Sequence, residues 1–217
     1  MSQDTSDLRS LRREYEVGDL NRDDLNTDPV QQFAIWFEQA LAEYADEATA
    51  MTLATADAEG MPSARIVLLK QYDSKGFTWF TDYRSEKGQQ LAINPQAELL
   101  FYWPAQSRQI RVRGQVQKLS AIEGQAYFSQ RPAGSRLSAA VSCQSQPIAS
   151  RELLEAAIEE LKQQHPDGNV ACPPTWGGYL LKPQRFEFWQ GRPSRLHDRF
   201  SYRLQDDGSW VIERLQP

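Results

Sequence analysis

Three nitrogen-rich side chains stand at alternate positions near the C-terminus: Arg195, His197 and Arg199, in the stretch RLHDRF. On an extended chain they share one face, with Leu196, Asp198 and Phe200 on the other. Such a face is either solvated or part of a pocket for something anionic and planar. Holding arginines at i±2 around a histidine costs electrostatic energy, which favours the pocket. Just upstream, FWQG sets Trp189 before a Gly/Pro turn, offering a flat wall for a heteroaromatic ring.

Three other stretches could meet an anion. In RIVLLK, residues 65–70, the apolar run from Ile66 to Leu69 reads as a strand buried on both faces, bracketed by Arg65 and Lys70. The two cations differ in strand parity, so they either snorkel out at the strand ends or meet a ligand. In TDYRSEKG, Ser85 can cap a helix whose first turn carries Lys87; free N–H groups plus a lysine suit a phosphate, although such helix starts commonly meet only water. In YFSQRPAGS, Tyr127, Arg131 and Ser135 are spaced by four, with Pro132 and Gly134 breaking any continuous helix into a turn. A phenol, a guanidinium and a hydroxyl make either a phosphate cradle or an ordinary surface patch.

The elements that must position these residues follow from periodicity. Residues 1 to about 27 read as an arm, with a short helix at DLRSLRREY. Asp28 and Pro29 then start a helix with apolar residues at Val30, Phe33, Phe37, Ala40, Leu41 and Tyr44. From residue 49 the period changes to strands: AMTLATAD, PSARIVLLKQY, FTWFTD, AELLFYW and RQIRVRGQVQKL, with a short helix at SEKGQQLAIN. Helices follow at about 120–130 and 150–164, then strands WGGYLLKP, RFEFWQG, RFSYRLQ and WVIERL. Many strands on short turns with few helices between them predict a mainly β fold, an antiparallel barrel surrounded by helices.

Composition narrows the classes. The chain has 217 residues, net charge −5 and 40% hydrophobic residues, with six Trp, eight Tyr and nine Phe, ample for one large core. The acidic balance argues against nucleic-acid binding, so any anion site is a local gathering of cations. No apolar run approaches the roughly 18 residues of a membrane span, and the charged N-terminus lacks the centre of a signal peptide, so a cytoplasmic protein is expected. Cys143 and Cys172 form no CxxC and are expected as free thiols; His165 and His197 offer no metal-ligand spacing.

Taken in order, LRREY, RIVLLK, FTDY with Ser85 and Lys87-Gly88, RQIRVRG, YFSQRP with Ser135, QS, FWQG and RLHDRF resemble the pyridoxine (pyridoxamine) 5′-phosphate oxidase family over nearly the whole chain. The resemblance implies a split β-barrel of antiparallel Greek-key type, its domain spanning 28–217 with C-terminal dimerisation strands and preceded by an arm or lid at 1–27. It implies a homodimer with FMN at the subunit interface, oxidising pyridoxine or pyridoxamine 5′-phosphate with oxygen to pyridoxal 5′-phosphate and hydrogen peroxide. By matched position, FMN would be held by Arg65, Ile66, Val67, Leu68, Leu69, Lys70, Phe80, Thr81, Lys87, Gln109, Gln144, Ser145, Trp189 and Arg199. The substrate phosphate would meet Lys70, Tyr127, Arg131 and Ser135. Arg195, Leu196 and His197 would face the substrate ring, Arg195 and His197 as catalytic residues, and Arg12 and Tyr15 would form part of the lid. One departure stands out: the family usually carries an arginine where this chain has Glu86, so Glu86 is kept out of the site, Arg84 or the Arg65–Lys87 pair is expected to serve the anion, and FMN affinity rather than reaction type should change. Phe80 often aligns with Tyr, a smaller difference. The rivals are a non-catalytic flavin- or pyridoxal-phosphate-binding protein on the same barrel, and an acidic structural protein that would purify colourless.

Overall fold

The computed structural model describes residues 14, 15 and 18–217; Arg12 and the helix expected at DLRSLRREY lie outside these apart from Glu14 and Tyr15. Helix α1 (Pro29–Tyr44) starts where the sequence places it. Asp28 Oδ1 accepts the Val30 N–H at 2.8 Å and Pro29 fills the first turn. Its inner face buries Phe33, Trp36 and Phe37, and the Phe33 ring lies 4.8 Å from Phe77 and 5.0 Å from Phe101. Leu20 and Leu25, inside the segment read as an arm, are buried in the same core.

Among the described residues nine strands form one antiparallel sheet: β1 (Ala50–Ala56), β2 (Pro62–Leu68), β3 (Gln71–Asp73), β4 (Gly76–Asp82), β5 (Gln96–Trp103), β6 (Arg108–Lys118), β7 (Trp176–Gln190), β8 (Asp198–Leu204) and β9 (Trp210–Leu215). The main path runs β2-β1-β5-β6-β7-β4-β3, with β8 on β7 and β9 on β8. Its two end strands are adjacent in the chain, separated only by Leu69 and Lys70. The Leu69 N–H bonds Thr49 O beside β1, and the Lys70 N–H bonds Thr78 O in β4, both at 2.9 Å. That two-residue step carries the chain from one end of the path to the other and curls the sheet into a split barrel.

Three expectations change. PSARIVLLKQY is two strands, not one. RIVLLK is not buried on both faces: β2 pairs only with β1, so Ile66 is 64% and Leu68 46% exposed while Arg65 and Val67 turn inward. WGGYLLKP and RFEFWQG are one fifteen-residue strand, β7. It is continuous because Gln184 is accommodated as a bulge, where the pairing shifts between Arg113 and Gly114. Pro183, which donates no N–H, sits at that irregularity. A Cβ on Gly114 would lie 1.9 Å from Lys182 O, so only glycine fits this approach.

Helix α2 (Glu86–Ile93) is capped by Ser85, whose side chain accepts from the Gly88 N–H. Helices α3 (Ala121–Gln130) and α5 (Arg151–Gln164) lie where periodicity put them. Helix α4 (Ala133–Val141), starting directly after Pro132, stands where a turn was expected. α3, α4 and Trp176 share a second, smaller core around Phe128 and Leu137. Cys143 and Cys172 are free thiols. No helix among the described residues is long and apolar enough to cross a membrane.

Candidate active site

A cavity of about 940 Å³ opens between β2, the end of β4, α2 and the α3–α4 junction. Arg65, Ile66, Val67, Leu68 and Lys70 supply one wall. Arg65 and Lys70 reach the same cavity despite opposite parity because β2 ends at Leu68 and the chain changes direction before Lys70. Leu69 is the exception in this run: its side chain is 4% exposed and belongs to the core.

Phe80, Thr81, Lys87, Gln144 and Ser145 line the cavity from the end of β4, from α2 and from the segment after α4. The Lys87 ammonium is buried and donates to three neutral oxygens: Gln144 Oε1 at 3.0 Å, Ser85 Oγ at 3.3 Å and Thr81 Oγ1 at 3.4 Å. Burial, and then the nearby Arg65 charge, push its pKa down. Burial also pulls Arg65 down, against the opposing pull of Glu86. Two cations on the neighbouring elements β2 and α2, Lys87 bonded to neutral oxygens and Arg65 facing the Glu86 carboxylate at 3.6 Å, can attract an anion.

Tyr127, Arg131 and Ser135 line the cavity from the α3–α4 junction. α3 stops at Gln130 and α4 begins at Ala133, so the proline breaks the helix as expected, yet all three side chains still face the cavity. The Arg131 guanidinium lies 4.7 Å over the Trp176 ring, and its Nη1 is buried with no hydrogen-bond partner among the described residues. An unpaired buried guanidinium N–H is costly, and here it borders a ligand-sized cavity. Phe80 and Tyr127 stack at 3.9 Å and continue the aromatic wall to Trp176.

Gln109, Trp189, Arg195, Leu196, His197 and Arg199 do not line this cavity. Gln109, Trp189 and Arg199 lie directly opposite one another across β6, β7 and β8. The expected single face of Arg195, His197 and Arg199 is not formed: residues 193–195 make a 3-10 turn, Ser194 and Arg195 have φ of 55° and 61°, and β8 begins only at Asp198. Positive φ removes Arg195 from the strand alternation. His197 sits 4.7 Å from Trp189 and 5.3 Å from Tyr15, ring to ring. Its Nδ1 accepts the Arg192 N–H at 3.1 Å, which leaves the proton of the neutral ring on Nε2. Burial, then Arg195 and Arg199, lower its pKa. Arg199 is bound to Glu187 at 2.8 Å and to Gln216 O at 2.8 Å. Leu196 is 70% exposed.

Glu86, expected outside the site, lines the cavity and stands 3.6 Å from Arg65. Arg84 is no substitute cation there. It is held by Asp82 at 2.7 Å and by Ser142 O at 2.8 Å, and it does not line the cavity. Desolvation opposes the Asp82 charge, but hydrogen bonds from Arg84 and the Gln144 N–H hold its carboxyl below the usual range. Trp176 and the α4 residues Ser138 and Ala139 were missed as lining. Ser135, Ser138, Ala139 and Ser142 recur at i, i+3, i+4 and i+7, a signal for one small-residue helix face that the neighbouring Pro and Gly obscured.

Fold and site together define a split-barrel protein with a cation-ended, aromatic-walled cavity. Residues 37–165 match the family model described as pyridoxamine 5′-phosphate oxidase, and residues 176–217 match pyridoxine 5′-phosphate oxidase C-terminal dimerisation region. The chain belongs to the pyridoxine/pyridoxamine 5′-phosphate oxidase family. It is 52% identical to pyridoxine/pyridoxamine 5′-phosphate oxidase 1 of Hydrogenovibrio crunogenus, over 97% of this chain and 98% of that protein. It is 53% identical to the pyridoxine/pyridoxamine 5′-phosphate oxidase of Bordetella avium, over 97% and 99%. Among solved structures, PhzG from Burkholderia lata, in complex with tetrahydrophenazine-1-carboxylic acid, is 30% identical with TM-score 0.86, over 93% of this chain and 99% of that one.

Proposed function

We propose that the protein is an FMN-dependent oxidase that converts pyridoxine or pyridoxamine 5′-phosphate to pyridoxal 5′-phosphate. The alcohol and O₂ give the aldehyde and H₂O₂; the amine additionally consumes water and releases ammonia. The observation that carries this reading is that Arg131 at the α3–α4 junction, its Nη1 buried and without a hydrogen-bond partner among the described residues, lines the same cavity as Arg65 of β2 and Lys87 of α2. Cations contributed by two different parts of the fold suit two phosphate esters, each near −2 because the second pKa is about 6. The curated relatives, named as oxidases at about half identity, favour the enzyme over a non-catalytic binder on the same barrel.

The residues present fit FMN, which when bound would supply the two-electron acceptor. Arg65 and Lys87 would hold its phosphate, with Thr81, Gln144 and Ser145 beside it and Ile66 to Leu68 along its length. Lys70, Tyr127, Arg131 and Ser135 would hold the substrate phosphate. Fixing both ligands between cationic ends supplies the positioning on which such a reaction depends.

Arg195 and His197 enter from a second copy of the chain. They lie in residues 176–217, the segment matched to a dimerisation region, and they miss their own chain's cavity. The exposed Ile66 and Leu68 on edge strand β2 give a partner apolar surface to cover. Arg195 orients the substrate's hydroxyl or amine and stabilises charge. His197, with its proton on Nε2 and its ring flanked by arginines, donates a hydrogen bond and orients substrate. A visible spectrum of the purified protein tests the flavin, and peroxide release with pyridoxine 5′-phosphate tests the reaction. A colourless protein that takes up no flavin would reject the reading.

A further inference from the structure

We infer that Glu86 sets affinity and selectivity at the flavin-phosphate end of the cavity: its carboxylate stands against the outward edge of Arg65, and an incoming phosphate must displace it. The inference rests on the flavin reading above and concerns a residue that reading does not use.

Arg65 is anchored on one side only. Its Nη1 is consumed by the protein, donating to Thr55 Oγ1 at 2.5 Å and to the carbonyls of Leu53 and Ser63, each at 3.3 Å. The remaining edge, Nη2, faces Gln90 Oε1 at 3.3 Å and the Glu86 carboxylate at 3.6 Å. A phosphate that takes the Nη2 side of this guanidinium meets the Glu86 carboxylate there, because an arginine fork presents its donors in fixed directions.

Glu86 is loosely held. Its side chain is 60% exposed, and its Oε1 accepts only long bonds, 3.2 Å from Ser63 Oγ and 3.5 Å from Gln90 Nε2. The 3.6 Å ion pair exceeds hydrogen-bonding distance. At 60% exposure its side chain is open to water, so displacement is feasible. While it stays, it neutralises a cation the phosphate needs and repels a dianion.

No other carboxylate plays this part among the described residues. Asp82 also lines the cavity, but its oxygens are taken by Arg84 and by backbone N–H groups. Lys87 sits on neutral oxygens alone. Glu86 is therefore the internal anion at this end, and its effect should fall on phosphorylated ligands while sparing those without a phosphate.

The test titrates full-length, flavin-stripped wild type, Glu86→Gln and Glu86→Ala with FMN and with riboflavin, reading flavin fluorescence. Both variants should tighten FMN about tenfold, equivalent to about 1.4 kcal/mol, with riboflavin Kd changed by no more than about twofold. Unchanged FMN affinity in both variants overturns the inference. So does a riboflavin gain equal to the FMN gain, because the carboxylate would then act on shape rather than on the phosphate. If wild type binds neither flavin, the flavin reading itself fails and this inference falls with it. Binding of both flavins by wild type with no difference among the variants rejects Glu86 alone.

Discussion

Replacing Arg131 with alanine separates a binding role from a structural one. Without a bound phosphate, the guanidinium leaves a buried N–H unpaired, which costs about 1–3 kcal/mol. Its stacking on Trp176 at 4.7 Å returns about 0.5–2 kcal/mol. These nearly cancel, so Arg131→Ala should leave the thermal midpoint of the substrate-free protein almost unmoved. With phosphorylated substrate the balance differs: a charge-assisted hydrogen bond contributes about 1.5–3 kcal/mol. At about 1.4 kcal/mol per decade, KM should rise roughly 10- to 150-fold. The contact exists in both ground and transition states, so kcat should fall much less. Steady-state kinetics with pyridoxine 5′-phosphate, beside unphosphorylated pyridoxine as control, measures this directly. An unchanged KM, an equal loss with the unphosphorylated compound, or a large drop in thermal stability would refute the reasoning.

Other consequences are simpler to state. Arg195→Ala should lower turnover far more than FMN affinity, since Arg195 lies outside the cavity wall that holds the flavin; equal losses in a flavin titration and a rate assay would contradict this. His197 is pulled below its usual pKa of 6.5 by burial and by Arg195 and Arg199, so the ring stays neutral at and above that pH and any acid limb it causes lies lower. Removing the Arg195 charge should move that limb up in pH, and a pH–rate profile that stays put or shifts down would oppose the assignment. Gly114→Ala drives a Cβ to 1.9 Å from Lys182 O and should destabilise by at least about 1–3 kcal/mol in denaturant unfolding.

Much of the fold was legible because its signals are local. Asp28-Pro29 announces α1, Ser85 announces α2, and alternating apolar residues mark the strands around them. The misses came where tertiary context overrides local pattern. The apolar run Ile66–Leu69 implies burial in any chain read alone; the exposure of Ile66 and Leu68 belongs to an edge strand. Pro183 suggests a strand end, but a bulge absorbs it. The small residues after Pro132 look like a turn, yet α4 forms once the proline has set its first turn. At the site, spacing suggested that Tyr127, Arg131 and Ser135 share a face, and all three line one cavity although Pro132 breaks the helix between them. The alternation of Arg195, His197 and Arg199 misled, because positive φ at Arg195 is invisible in a periodicity argument. Glu86 was excluded on charge sign, whereas its place beside Arg65 depends on α2 packing next to β2 and β1.

The central claim is that each active site takes Arg131 from one chain and Arg195 from another. Co-expressing Arg131→Ala and Arg195→Ala chains under separate tags, then isolating the mixed dimer, tests it most directly. A shared site predicts that the mixed dimer has one site with both arginines and one with neither, so at subsaturating pyridoxine 5′-phosphate it should recover about half of the wild-type rate, while the Arg131→Ala parent is slowed by its raised KM and the Arg195→Ala parent by its lowered turnover. A mixed dimer no more active than its parents would contradict the account.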